Sequence, residues 1–194
     1  MIKSIIRDTA SLAVITVVAA ICLAFVHGLT EDKIAQAEAD ERTASYREVF
    51  PDAADFIAND TDVFGETDIA GVTIEEALLA VDGNGEIIGC VISSTSANGY
   101  GGDVTLSVGV DLSNTITGMR VTSMSESPGY GSHCQDEEFE EQFKGLGGEI
   151  TYVSDGADEP GEIDMISGAT FTSRAVTEAV NGALDCARSL LGGE

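Results

Sequence analysis

The sequence predicts an α+β fold in which a single apolar helix precedes one domain built on an antiparallel sheet. Three observations support this prediction: an uninterrupted apolar segment near the N-terminus, a series of strands joined by short turns, and an amphipathic helix at the C-terminus. Strands that follow one another through tight turns pair antiparallel, and a helix with one apolar face packs on such a sheet. The 194 residues leave room for one domain of ordinary size.

The apolar segment at residues 9–29 is long enough to cross a membrane once. It contains no charged residue, and a helix of this length spans about 30 Å, the thickness of the hydrocarbon core. Lys3 and Arg7 precede the segment and Glu31 follows it, so the positive-inside rule places residues 1–8 in the cytoplasm and the domain outside. A cleaved signal peptide is the alternative, but its apolar stretch usually has only about 7–15 residues.

Residues 30–75 are predicted to connect the membrane helix to the domain. The stretch 31–47 is rich in Ala, Glu and Asp and lacks Gly and Pro, a composition typical of a helix that continues outward as a stalk. From Pro51 to Thr73 the sequence is acidic and aperiodic, which predicts irregular structure lying over the domain. The domain itself is then expected to span residues 76–194.

The strands and helices of the domain follow from periodicity. Val104, Leu106, Val108 and Val110 alternate with small or polar residues, as in a strand with one buried face. Further strands are predicted at Ala77–Val81, Glu86–Ser94 and Thr115–Met124, with a turn at Asp82–Gly85. A short helix is predicted over 136–143. The last helix has one apolar face, formed by Val176, Ala179, Val180, Ala183, Leu184, Ala187, Leu190 and Leu191.

Charge and cysteine spacing exclude several functions. The formal net charge of −25 repels phosphate backbones, which argues against nucleic-acid binding and against peripheral docking on anionic lipid. Outside the apolar segment, Cys90, Cys134 and Cys186 form no C-x-x-C pair and have no histidine at ligand spacing. No metal site is therefore predicted, and Cys90 and Cys186 are expected to be buried as small apolar side chains.

The segment Asp164–Arg174 leads directly into the last helix and is the main candidate for a site. A helix N-terminus offers free backbone N–H groups and the positive end of the helix dipole, and both favour a bound phosphate. Arg174 adds a positive charge, and Thr170 offers a hydroxyl beside the small residues Gly168 and Ala169. The alternative is that a Ser or Thr of this segment simply caps the helix.

Asp164–Thr170 resembles the flavinylation signature D-x-x-S/T-G-A-T of a family of FMN-binding domains. The family comprises the G subunit of the Rnf electron transport complex and the C subunit of the sodium-pumping NADH:quinone reductase. Gly99–Asp103, which leads into the alternating strand, and Ser125–Gly131 are similar to two further segments of that family. The resemblance implies an FMN bound covalently to Thr170 through a phosphoester, which a separate flavin transferase attaches.

The resemblance also implies which residues surround the flavin. Besides Thr170 they are Tyr100, Gly101, Gly102, Glu126, Pro128, Gly129, Tyr130, Gly131, Ser167, Gly168, Ala169 and Thr172. Glu126 has the alternative of being a solvated loop acid. Tyr130 stands where the family usually has Leu, and it either stacks on or hydrogen-bonds the flavin, or turns away from it. Ser127 replaces the usual Thr.

The family implies an electron-carrying subunit of an ion-translocating ferredoxin:NAD oxidoreductase in the cell (inner) membrane, rather than a complete enzyme. No catalytic residue is assigned. One helix cannot form an ion path, so pumping belongs to other membrane subunits, which are the expected partners. Two alternatives remain: a membrane-tethered extracytoplasmic FMN module outside such a complex, and an acidic exported binding or structural protein in which residues 167–170 only cap a helix.

Overall fold

The computed structural model describes residues 44–59 and 65–192, together with positions 13, 16–21, 23 and 27 of the N-terminal segment. These N-terminal positions are helical and exposed. Among the described residues, no helix is long and apolar enough to span a membrane. The predicted cytoplasmic residues 1–8, and most of the predicted membrane helix and stalk, lie outside the described part. The chain divides into two compact units, Met1–Thr43 and Ala44–Glu194.

Six strands form one antiparallel sheet, in which β3 to β6 follow one another in chain order. β1 and β2 pair side by side along the outer edge of β3. This sheet confirms the predicted antiparallel architecture. The strands are β1 (Asp55–Ala58), β2 (Gly65–Glu66), β3 (Val72–Val81), β4 (Ile87–Ser96), β5 (Val104–Asp111) and β6 (Ile116–Met124).

The remaining elements follow β6. Helix α1 (Glu137–Glu140) lies between the 3₁₀ turns Gly131–Gln135 and Glu141–Phe143, in agreement with the short helix predicted there. Strands β7 (Thr151–Val153) and β8 (Glu162–Asp164) form a separate parallel pair, which the sequence did not predict. Helix α2, called the C-terminal helix below, spans Thr170–Leu190.

The prediction of irregular structure over Pro51–Thr73 is wrong, because β1 and β2 fall within it. The compact unit that contains the sheet begins at Ala44. The sequence did not predict these two strands because they are short and lie at the edge of the sheet. In β1 only Phe56 turns partly inward while its neighbours are exposed, so no apolar alternation develops.

The main core lies between the C-terminal helix and one face of the sheet. The helix packs on β3, β4 and β5, and its buried face is built from small residues such as Ala175, Ala179 and Ala183. The Ser94 hydroxyl on β4 donates a hydrogen bond of 2.9 Å to the Ala179 carbonyl. The helix backbone therefore lies close to the sheet, which fixes the position of the helix start at Thr170.

A second, smaller core covers the opposite face of the sheet. Residues 44–49 are helical, and the buried side chains Tyr46, Val49 and Phe50 pack there against Ala80 and Val91. Below them lie three sheet glycines, which we call the glycine platform: Gly89, Gly109 and Gly118. A Cβ at Gly118 would lie 2.9 Å from the Val49 Cα, and one at Gly109 would overlap the Val49 carbonyl oxygen.

The cysteines of the described part are expected to resist alkylation in the folded protein. Cys90, Cys134 and Cys186 are buried free thiols, and burial raises the pKa of Cys90 and Cys134 to about 12 and that of Cys186 to about 11. The thiolate is the reactive form, so iodoacetamide at about pH 8 should label the three only after unfolding. Peptide mass spectrometry measures this, and rapid labelling of the native protein at any of them would contradict it.

Candidate functional site

The C-terminal helix begins beside a cleft of about 620 Å³. The loop between β4 and β5, the loop after β6 and the first turn of the helix form its walls. Sites for small organic ligands usually have volumes of about 300–1,000 Å³, so this cleft has the size of a cofactor site. The three sequence segments that resemble the flavoprotein family therefore meet at one place.

The cleft brings together nine of the thirteen residues that the sequence singled out, namely Tyr100, Glu126, Pro128, Tyr130, Gly131, Gly168, Ala169, Thr170 and Thr172. Gly101, Gly102, Gly129 and Ser167 do not line it. Gly101 instead lets the two loops pack together, because a Cβ there would overlap the Ser125 carbonyl oxygen. Ser127 and Phe171 line the cleft as well, although they were not predicted as site residues.

The start of the C-terminal helix has no side-chain cap. Ala169 is the N-cap residue, and no side chain of the described residues accepts a hydrogen bond from the first turn, so the alternative of a Ser or Thr cap is wrong. Ser173, in the first turns of the helix, accepts from the Ile166 N–H at 2.9 Å and donates to the Ala169 carbonyl. The first N–H groups of the helix are thus left for water or a ligand, as in anion sites at helix ends.

Thr170 is the first residue of this helix, and its side chain is exposed at the cleft. Its hydroxyl contacts the Met165 sulfur at 3.6 Å, the one polar contact recorded for it within the described part. Gly168 has φ +77°, a conformation that residues with a Cβ rarely adopt. A Cβ at Gly168 would lie in van der Waals contact with the Tyr130 ring, at 3.6 Å. Glycine there brings the chain to Thr170 without blocking the cleft.

Glu126 is buried at the base of the cleft, with 8% of its surface exposed. The backbone N–H of Tyr100 donates a hydrogen bond of 2.8 Å to its Oε1, so the carboxylate ties the two loops together. Gly131 lies against it, because a Cβ there would be 2.6 Å from the Glu126 Oε2. The alternative of a solvated loop acid is therefore wrong.

Three aromatic rings stand exposed around the mouth of the cleft: Tyr100, Tyr130 and Phe171. The centroids of Tyr100 and Phe171 are 6.3 Å apart with the planes tilted by 45°. The Arg174 guanidinium lies 5.3 Å from the Phe171 centroid, within the range of a cation–π contact, and 3.7 Å from the Glu178 carboxylate. Exposed rings grouped in this way offer flat apolar surface to a planar ligand.

The described residues contain no group of His, Cys, Asp and Glu that could hold a metal ion. The cleft accordingly offers other chemistry: unpaired N–H groups at a helix start, an exposed hydroxyl, a buried carboxylate and aromatic rings. These features suit an organic ligand that carries both a phosphate and a planar ring. They fit FMN, whose phosphate would lie at the helix start and whose ring would lie among the aromatic side chains.

Comparison with known proteins gives two family matches that together cover most of the chain. The FMN-binding domain matches residues 99–185, and the RnfG N-terminal region matches residues 1–49. The first match contains all thirteen predicted site residues, including the whole cleft lining. The second contains the apolar segment.

Two relatives match over nearly their full length. The G subunit of the ion-translocating oxidoreductase complex of Methanosarcina acetivorans is 32% identical over 94% of this chain and 94% of its own. The G subunit of the Na⁺-translocating ferredoxin:NAD⁺ oxidoreductase complex of Acetobacterium woodii is 33% identical over 92% of this chain and 89% of its own.

Two crystal structures share the fold. NqrC of Shewanella oneidensis superposes with a TM-score of 0.54 at 20% identity, over 73% of this chain and 70% of its own. The C subunit of the Na⁺-translocating NADH-quinone reductase of Parabacteroides distasonis superposes with a TM-score of 0.55 at 21% identity, over 80% of this chain and 84% of its own. The antiparallel sheet with its packed helix is thus the fold of these proteins. On the sequence matches, this chain belongs to the RnfG family, the G subunits of ion-translocating (Rnf) oxidoreductase complexes, and contains an FMN-binding domain.

Proposed function

We propose that this chain is the membrane-anchored flavoprotein subunit of an ion-translocating ferredoxin:NAD oxidoreductase complex, and that it relays electrons through an FMN joined to Thr170 by a phosphoester. The observation that carries the proposal is the position of Thr170. Its hydroxyl is exposed at the first residue of a 21-residue helix that has no side-chain cap, and it faces a cleft of cofactor size.

The helix start suits the phosphate of the flavin. The unpaired N–H groups of the first turn and the positive end of the helix dipole both stabilise negative charge. A phosphate attached to the Thr170 Oγ1 would lie beside these groups. Arg174 stands one turn further on, where its charge is shared with Glu178, so the backbone rather than this side chain is the main phosphate ligand.

The aromatic rings around the cleft suit the isoalloxazine ring. Tyr130 lies over Gly168, while Tyr100 and Phe171 neighbour each other on the cleft wall. Covering these exposed rings with a planar ligand removes apolar surface from water, which favours binding. When bound, FMN supplies one- and two-electron redox chemistry, and the protein supplies its position and surroundings.

Nothing recorded around Thr170 activates its hydroxyl as a nucleophile. Within the described part, the Oγ1 contacts the Met165 sulfur, which is a poor base, whereas an activated hydroxyl needs a general base within hydrogen-bond reach. The resemblance to the flavoprotein family implies that a separate flavin transferase, acting on FAD, attaches the group. In that step an Oγ1–P bond forms, the P–O–P bond of FAD breaks, AMP leaves, and the hydroxyl proton passes to the transferase or to solvent.

The membrane segment and the partners complete the proposal. Residues 9–29 would hold the chain in the cell membrane, with residues 1–8 in the cytoplasm and the FMN domain on the other side, as the flanking charges favour. The other membrane subunits of the complex would form the ion path. Electrons would enter and leave through the open mouth of the cleft, where the rings of Tyr100 and Tyr130 are exposed.

Mass spectrometry of the chain purified from cells with the flavin transferase tests the proposal. Trypsin cleaves after Lys144 and Arg174, so Thr170 falls in one peptide, residues 145–174. We expect this peptide to carry the added mass of FMN, with fragment ions that place it on Thr170, and the other subunits to co-purify with the chain. Cells without the transferase are the control and should give the unmodified peptide. An unmodified peptide in the presence of the transferase would refute the covalent site.

A further inference from the structure

One corner of the cleft contains a buried hydroxyl with no partner. We call this the polar corner and define it by Glu126, Gly131 and Thr172, which all line the cleft. Thr172 is 1% exposed, and its Oγ1 has no hydrogen-bond partner among the described residues. A buried hydroxyl that loses water without gaining a partner destabilises the folded state. Such a group in a cleft indicates that a ligand provides the missing bond.

The Glu126 carboxylate provides an acceptor in the same corner. Its Oε1 is occupied by the Tyr100 N–H at 2.8 Å, while no described residue is recorded as donating to its Oε2. The Glu126 Oε2 and the Thr172 Oγ1 each lie 2.6 Å from the position that a Cβ at Gly131 would take. A side chain at Gly131 would collide with both oxygens, so glycine lets the loop lie directly against them at the cleft.

The Glu126 carboxylate and the Thr172 hydroxyl together determine which ligand group can bind in the polar corner. A phosphate oxygen only accepts hydrogen bonds and is repelled by a carboxylate, so the phosphate belongs at the helix start and not in this corner. A hydroxyl both donates and accepts. It can donate to the Glu126 Oε2 and accept from the Thr172 hydroxyl at the same time, which satisfies both groups.

We infer that the polar corner binds a hydroxyl of a polyol chain, which in FMN is the ribityl chain between the phosphate and the ring. This inference rests on the proposed function, because it assigns a role within the same site. It makes Glu126 and Thr172 the residues that recognise the ribityl chain, whereas the aromatic rings recognise the isoalloxazine. Thr172 would then be a ligand-binding residue two positions beyond the attachment point.

Replacing Thr172 with valine separates a ligand-binding role from a structural one. Valine has nearly the same shape and lacks the hydroxyl, so the Thr172→Val chain without flavin should be at least as stable as the native chain, because an unsatisfied buried group is removed. Its flavin binding should weaken. Thr177→Val is the matched control: Thr177 is buried in the same helix, outside the cleft, and its hydroxyl already donates to the Ser173 carbonyl at 2.9 Å.

The experiment uses the full chain in detergent, produced without the flavin transferase, and titrates it with riboflavin and with lumiflavin, in which a methyl group replaces the ribityl chain. We expect Thr172→Val to weaken riboflavin binding about fivefold, or about 1 kcal/mol, and to leave lumiflavin binding unchanged. Glu126→Gln should show the same selectivity for riboflavin. Thr177→Val should change neither affinity and should lower the unfolding midpoint slightly.

The outcomes separate the inference from the proposed function. If Thr172→Val weakens both flavins equally, weakens neither, or lowers the stability of the flavin-free chain, the ribityl assignment is wrong while the FMN site stands. If the native chain binds neither riboflavin nor lumiflavin, the ribityl assignment is wrong, whereas the covalent FMN site is refuted only by an unmodified 145–174 peptide.

Discussion

Thr170→Val is expected to remove covalently bound flavin completely, while Thr170→Ser should retain it. Valine keeps the shape of threonine but has no Oγ to form the ester, whereas serine keeps the oxygen at the same position. The Thr170 side chain is exposed, so the stability of the domain should change by no more than about 0.5 kcal/mol. Flavin fluorescence of the denatured protein in a gel, together with its intact mass, measures the attachment.

A matched control for this pair is Thr151→Val. Thr151 is an exposed threonine of β7 that lies in the same tryptic peptide, residues 145–174, but away from the cleft. This variant should carry as much flavin as the native chain. Covalent flavin remaining on Thr170→Val would show that another hydroxyl of the peptide is the attachment point, and Thr172 would then be the first to test.

Gly109→Val should destabilise the domain by about 3 kcal/mol. Gly109 belongs to the glycine platform, and a Cβ there would overlap both the Val49 carbonyl oxygen and the Thr117 hydroxyl. These two groups are joined by a hydrogen bond of 2.6 Å, which the new side chain would break. The residues around Val49 would have to leave the sheet, and the second core would be exposed to water. Denaturation by urea, followed by circular dichroism, measures the loss.

Gly83→Ala provides the comparison for that change. Gly83 lies in the turn between β3 and β4, and a Cβ there would meet no atom within 4 Å. Its replacement should alter the free energy of unfolding by less than about 0.5 kcal/mol. If Gly109→Val and Gly83→Ala unfold at the same urea concentration, residues 46–50 do not contribute to the stability of the domain, and the second core described above is wrong.

The parts of the fold that the sequence predicted are those with strong periodicity. Val104 to Val110 alternate because one face of β5 is buried against the C-terminal helix, and that helix carries its apolar face over 21 residues. The turn at Asp82 was equally clear, since its carboxylate accepts hydrogen bonds from the N–H groups of Asn84 and Glu86. In each case a local pattern and the tertiary contacts agree.

The missed elements are those whose structure depends on distant residues. β7 has three residues and pairs in parallel with β8 across an intervening loop, so neither strand has a pattern of its own. Residues 44–47 belong to the stretch predicted as a stalk, and the platform formed by Gly89, Gly109 and Gly118 shows that the following turn, at Val49, packs on the sheet. Close packing of two backbone segments depends on the tertiary structure, and a single glycine in the sequence does not predict it.

The candidate site was located by resemblance, but its chemistry came from the structure. The sequence could name Glu126 and Thr172 without showing that the first is buried and that the second lacks a partner. Phe171 lies just after the signature Asp164–Thr170 and was not singled out from the sequence. It is exposed beside Tyr100. An apolar residue off the buried stripe, at a helix start, is the signal that would have found it.

The uncapped start of the C-terminal helix lowers the stability of the chain while no flavin is bound. A helix that lacks a Ser, Thr or Asp cap is less stable by about 1 kcal/mol, so its first turn opens more often in a newly made chain. A phosphate held there would bind only the folded state and shift the balance back. Proteases act on opened chains, so subunits that miss their cofactor would be degraded first and would not accumulate in the membrane.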